Sequence, residues 1–200
     1  MWFSFSTNFL IFITAVILYF FYDKGLVSVY YKAFVVFTGI AALVAGFGHL
    51  PVFEPSMGLN ILYVSRVINF ISVYCFIHGT LLSFNYLQHK NYMGIQVSVF
   101  VGFVVWLTVH NVFTPVIVYS ILGLIVVGVT SYLLNYKAQT EAAIRVLSGV
   151  SILAVSAIVF SIFKSEDNTI AADIGHVLVS IALVVLMAGF NKLNKNEIAK

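Results

Sequence analysis

The sequence predicts an all-α fold: an integral membrane bundle of seven transmembrane helices, built as a single domain over residues 1–200. Three observations carry this. Hydrophobic residues make up 62% of the chain and charged residues 8%, with a mean hydropathy of +1.06, whereas soluble domains carry roughly 25% charged residues. Seven stretches reach the roughly 20 apolar residues that a helix needs to cross hydrocarbon. The breaks between them are short and hold turn residues, leaving little sequence for a soluble domain.

The stretches run over residues 3–22, 29–50, 59–87, 92–110, 115–136, 142–163 and 170–190. The first has no basic residue ahead of its apolar run and no small-residue cleavage site before Tyr22 and Asp23, so it reads as a retained helix and not a secretion signal. Asp23-Lys24-Gly25 ends it. After the second stretch come Pro51 to Gly58, with Pro55 among them. The third stretch is the most polar. Ser65, Asn69, Ser72, Gly79 and Ser83 recur at helical spacing with Arg66, Tyr74 and His78 beside them, which predicts a helix facing the bundle interior. Cys75, the single cysteine, lies inside it, so no intrachain disulfide is possible and a buried apolar role is expected. His78 reads as a hydrogen-bonded interior histidine.

Gln88 to Asn91, with His89 in solvent, lead into the fourth stretch, which ends at His110. Thr114 before Pro115 reads as an N-cap followed by proline at the first helical position of the fifth. Lys137 to Glu141 precede the sixth, where Ser148, Gly149, Ser151, Ser156 and Ala157 let a neighbouring helix come close. Asn168 or Thr169 caps the seventh. No internal repeat is visible, so the inverted-repeat plan common among secondary transporters has no support.

The net charge of +3 is explained by position and does not call for nucleic acid. If seven helices alternate, Lys24, Lys32, Lys90, Lys137, Arg145, Lys192, Lys195 and Lys200 share one face, and Arg66 and Lys164 lie toward the other. The positive-inside rule then puts the C-terminus in the cytoplasm and the N-terminus outside, in a plasma or inner membrane. Membrane lipid is the expected partner.

That topology gathers ionisable residues at the outer face. His49 ends the second helix, Asp173 and His176 open the seventh, Arg66 lies about two turns into the third, and Glu54, His110, Glu166 and Asp167 rim the same face. Ionisable groups in hydrocarbon are costly and mark sites by default. Residues three apart share a helix face, so Asp173 and His176 can address one object: a metal, a proton or each other. Imidazole and carboxylate suit zinc, and a catalytic zinc usually has three protein ligands and one open position. His49, Asp173 and His176 make such a set if the second and seventh helices are neighbours. Alternatively Asp173 orients His176 from behind, or pairs with Arg66. A purely structural cluster that satisfies helix ends is the third alternative. A retinal Schiff base is excluded by the lack of lysine within the seventh stretch, and nucleotide-loop, paired-cysteine and nucleophile-elbow motifs are missing.

Gly46-Phe47-Gly48-His49-Leu50 and Asp173-Ile174-Gly175-His176-Val177-Leu178, set in seven helices, resemble the superfamily that groups alkaline ceramidases with the progestin and adiponectin receptors. The resemblance implies that His49 and His176 bind zinc. Ala172 stands where that family's first seventh-helix histidine falls, and Asp173, one residue along, keeps three ligands. Ala45 replaces the serine four residues before the second-helix histidine, and Asn60 takes the place of the acidic residue opening the third helix. By this resemblance a zinc-bound water hydrolyses a lipid-like amide or ester, with Arg66 or Asn60 steadying charge on the substrate. The alternative is a transport or sensing protein in which Arg66, Asp173 and His176 form an ion-linked switch.

Overall fold

Each apolar stretch forms one α-helix in the computed structural model, which describes residues 2–21, 29–83, 90–110, 112–135, 140–163 and 170–198. The helices are α1 (Trp2–Phe21), α2 (Val29–Gly48), α3 (Pro55–Ser83), α4 (Lys90–His110), α5 (Thr114–Asn135), α6 (Thr140–Phe163) and α7 (Ile170–Ile198). There is no strand among the described residues. All seven helices are long and apolar enough to cross a membrane.

The boundaries follow local chemistry. Pro55 opens α3, earlier than its apolar run, because proline at the first helical position has no N–H to leave unsatisfied; the Glu54 carbonyl takes the first helical bond, from Gly58 N at 2.9 Å. In α5 the Phe113 carbonyl accepts from Ile117 N at 3.3 Å, so the cap is Phe113 and Thr114 is already helical. α7 continues past residue 190 to Ile198, beyond the end of its apolar run. Asn168 and Thr169, the expected caps of α7, lie outside the described residues, as do Lys24, Lys137, Lys164, Glu166, Asp167, His89 and Lys200.

Six helices close a ring in the order α1, α2, α3, α5, α6, α7 and back to α1, with α4 outside it against α3 and α5. α2 and α7 make little contact beyond the end of the bundle where Tyr31 meets Phe190, and α1 packs against both. Helices run alternately up and down, so α1, α3, α5 and α7 start at one end of the bundle, hereafter the site end, where α2, α4 and α6 finish.

Two apolar cores fill the ring. One spans α1, α2, α3, α5, α6 and α7, with Tyr31 stacked on Phe190 at 3.6 Å and Phe34 on Phe76 at 4.3 Å. The other joins α3, α4 and α5 through Phe70, Leu107 and Tyr119. Where lipid competes for apolar surface, close packing and polar contacts hold helices together. At Gly39 a Cβ would lie 2.5 Å from that of Ala15, and at Gly189 one would lie 3.0 Å from the Val146 nitrogen, so α1 meets α2, and α6 meets α7, at backbone contact distance.

The polar stripe of α3 does face inward, against α2. Ser65 Oγ donates to the Ala41 carbonyl at 2.8 Å, Ser72 Oγ donates to the Phe34 carbonyl at 2.9 Å, and the Ser72 and Thr38 hydroxyls are 2.6 Å apart. Cys75 is buried. Of the small residues in α6, Gly149 receives Leu186 and Ser156 is buried against α7, while Ser148, Ser151 and Ala157 face outward.

α4 is the least enclosed helix and is fastened by one buried polar pair. His78 Nδ1 lies 2.9 Å from Gln96 Oε1, and Gln96 Nε2 donates to the Tyr74 carbonyl at 3.2 Å. Because the amide N–H is given to a carbonyl, Oε1 is the acceptor and His78 Nδ1 carries the hydrogen. Tyr30 packs on the same imidazole at 4.4 Å between ring centres.

Two predictions follow from this packing. Gly39→Ala should lower the unfolding free energy by about 1–3 kcal/mol, the cost of overpacking, and Ala15→Gly added to it should restore most of the loss; thermal unfolding in detergent measures both. Gln96→Leu should leave His78 Nδ1–H without its acceptor, a cost of about 1–3 kcal/mol, and should speed amide exchange in α4 more than in α6 or α7, as read by hydrogen-exchange mass spectrometry.

Candidate functional site

α7 opens with an acidic residue, Asp173, in its first turn, where the helix dipole favours a negative charge. Asp173 is 3% exposed. Burial of a carboxylate in an apolar bundle is costly unless its lone pairs are taken, and α1 supplies the donor. Thr7 Oγ1 donates to Asp173 Oδ1 at 2.8 Å. The same hydroxyl oxygen lies 3.0 Å from His176 Nδ1, one turn further along α7, and has a longer contact, 3.2 Å, to the Ser4 carbonyl within its own helix. Asp173 Oδ2 is buried and has no hydrogen-bond partner.

Residues of α1, α2, α6 and α7 pack around this cluster. Ser156 Oγ donates to the Gly175 carbonyl at 2.8 Å, which holds α6 against α7 between the two ionisable residues. Ser180 Oγ donates to the His176 carbonyl at 3.2 Å. Asn8, buried beside Thr7, donates to the Ser4 carbonyl at 2.8 Å, and Gly46 at the end of α2 lets Asn8 and Phe5 approach.

The sequence places Asp173 and His176 together correctly, but the third member of the expected set does not join them. His49 is exposed in the turn after α2, its N–H 3.2 Å from the carbonyls of Ala45 and Gly46, and α1 stands between α2 and α7. Among the described residues no three of His, Cys, Asp and Glu group closely enough to hold a metal ion, so the expected zinc set of His49, Asp173 and His176 is not assembled. The ion pair expected between Arg66 and Asp173 is likewise not formed: Oδ1 is taken by Thr7, Oδ2 has no partner, and the Arg66 guanidinium lies over the Phe113 ring at 5.8 Å. Asn60 is exposed at the start of α3. His78 is the hydrogen-bonded interior histidine the sequence predicts.

Thr7 is the functional residue that sequence reasoning misses. A threonine in an apolar helix is unremarkable alone. The available signal is the polar run Ser4, Ser6, Thr7 and Asn8 in a helix that is otherwise apolar but for Thr14 and Tyr19.

Residues 3–195 match the model of a family described as a family of unknown function, DUF6962. The chain belongs to that family. No curated protein and no solved structure matches it. Membership in DUF6962 carries no link to the alkaline ceramidases or the progestin and adiponectin receptors.

Removing the Thr7 hydroxyl at constant shape leaves the buried carboxylate with no donor. Thr7→Val should therefore cost about 1–3 kcal/mol of stability, and Thr7→Ser, which keeps the hydroxyl, much less; thermal unfolding of the purified full chain checks the difference.

Proposed function

We propose that the protein is an integral membrane transport or sensing protein worked by an ion-linked switch at Asp173 and His176, with the site end outside and the C-terminus in the cytoplasm. One observation carries this reading: a carboxylate buried in the bundle keeps one oxygen without a hydrogen-bond partner, while its other oxygen is tied through Thr7 to an imidazole. An unmet buried acceptor costs about 1–3 kcal/mol and more when charged. Uptake of a cation by this carboxylate lowers that cost by neutralising its charge, and because Thr7 of α1 donates to the same carboxylate, occupancy and the packing of α1 against α7 are coupled. A conformational equilibrium biased in this way is what transport and sensing require.

The orientation rests on charge. At the end opposite the site, Glu141 accepts from Arg145 at 2.9 Å and pairs with Lys192, and Lys32 and Lys90 lie in the first turns of α2 and α4 there, as the positive-inside rule expects of a cytoplasmic face. A zinc hydrolase acting on a lipid-like amide or ester finds less support: the residues present do not fit a zinc site, since the third ligand stands apart and a catalytic zinc usually takes three.

Infrared difference spectra of the reconstituted full chain test the proposal, recorded between acid and alkaline buffers and, at fixed pH, between sodium and choline. Wild type should show a carboxyl band and a change in the amide region in at least one arm, and Asp173→Asn should lose both. An unchanged response in Asp173→Asn, or no response of wild type in either arm, overturns the proposal. So does stoichiometric zinc in the purified protein, measured by elemental mass spectrometry, that is lost in both His49→Ala and His176→Ala.

A further inference from the structure

Asp173 and His176 share one hydroxyl, and this limits which ion the site can use. Thr7 has a single proton to give. It goes to Asp173 Oδ1 at 2.8 Å in preference to the Ser4 carbonyl at 3.2 Å, because a charged acceptor makes the shorter, stronger bond. The contact between Thr7 Oγ1 and His176 Nδ1, 3.0 Å, then requires the imidazole to donate. Nδ1 carries the hydrogen and the Thr7 oxygen accepts it, so that oxygen is engaged by both neighbours and is a poor ligand for a metal cation.

Hard metal cations such as calcium and magnesium gather about six or more oxygens. Here Oδ2 lacks even one hydrogen-bond partner, and no cluster of three metal-binding side chains exists among the described residues. A proton needs no cage. Resting on the ion-linked reading above, we propose that the ion is a proton and that Thr7 relays it between His176 and Asp173. In the step, the N–H bond of His176 Nδ1 breaks as its proton passes to Thr7 Oγ1, while the Thr7 hydroxyl proton passes to Asp173 Oδ1. Imidazolium and carboxylate become imidazole and carboxylic acid, the threonine hydroxyl is regenerated, and the charge of the cluster is unchanged. What changes is the separation of charge inside the bundle.

On the helices packed against α7, the described titratable or charged side chains of the far end include Tyr19 on α1, Tyr30, Tyr31 and Lys32 on α2, Glu141 and Arg145 on α6, and Lys192 on α7 itself. At the site end, His49 after α2 and Arg66 on α3 are not hydrogen-bond partners of either Asp173 oxygen.

The test is nitrogen-15 magnetic resonance of the histidine rings in the reconstituted full chain, with His176 assigned by His176→Gln and the Asp173 carboxyl followed by infrared. While Asp173 is ionised the neutral ring of His176 should carry its hydrogen on Nδ1, and once the proton has passed to Asp173 it should carry it on Nε2. Asp173→Asn should move the His176 midpoint by about one pH unit, as for strongly coupled sites. Thr7→Val should abolish that response and Thr7→Ser should keep it; if Thr7→Val does not fold, the ring tautomer and the Asp173→Asn shift in the Thr7→Ser background decide. A neutral ring protonated on Nε2 while Asp173 is still ionised, an Asp173→Asn shift that persists in Thr7→Val, or a carboxyl band that follows sodium at constant pH overturns the relay. If the relay signatures are missing but Asp173→Asn still loses the ion-induced amide change, the relay alone fails; if that change survives Asp173→Asn, the ion-linked reading fails with it.

Discussion

A carboxylate inside apolar helices has to find donors, and Asp173 finds one on a helix at the other end of the chain. The bond from Thr7 spans 166 residues of sequence, so α1 must lie beside α7 for the charge to be tolerated at all. This condition closes the ring. α1 is pressed onto α2 at Gly39 and Ala15, α2 is tied to α3 by Ser65 and Ser72, and α6 and α7 meet at Gly189; the contact between the first and last helices is the joint at which an otherwise sequential bundle becomes circular. Polar bonds between membrane helices are worth about 1 kcal/mol each, so no single one holds the ring. The Thr7 bond is distinguished by what its loss exposes.

Buried polar groups elsewhere show the contrast. The α3 hydroxyls donate to backbone carbonyls across to α2, and Gln96 satisfies both itself and His78. Tyr119, Ser131 and Asn191 do leave a polar atom unpartnered, but these are neutral groups, for which the penalty is smaller than for a charge. Asp173 combines deep burial, an unmet oxygen and a titratable neighbour reached through one hydroxyl. A buried ionisable pair of this kind is a candidate for function. Among the described residues the interior is polar where helices are fastened, and an unmet carboxylate oxygen is found at Asp173.

Much of this architecture is legible in the sequence because the bilayer imposes a simple rule: about 20 apolar residues make one helix. The rule finds all seven helices, the inward stripe of α3 and the facing pair Asp173 and His176, which needs only the three-residue repeat of an α-helix. It fails where neighbours must be known. Thr7 carries no pattern linking it to residue 173, and which helices touch is decided by close packing at single glycines such as Gly39, whose role appears only beside Ala15. The early start of α3 at Pro55 was readable from proline chemistry, yet hydropathy alone puts the boundary later.

His49 shows what adjacency decides. Its position at the end of α2 and that of His176 at the start of α7 satisfy the depth condition for a shared metal, since both helices reach the site end. Depth places two residues in one layer of the bundle; it does not choose the neighbours within that layer. Here α1 separates α2 from α7 and brings a hydroxyl to Asp173 in place of a second imidazole. A hydroxyl between a carboxylate and a histidine is a weak start for a zinc site and a good conduit for a proton, because it can give and accept at once. The chemistry available at the seventh helix is thus set by the first.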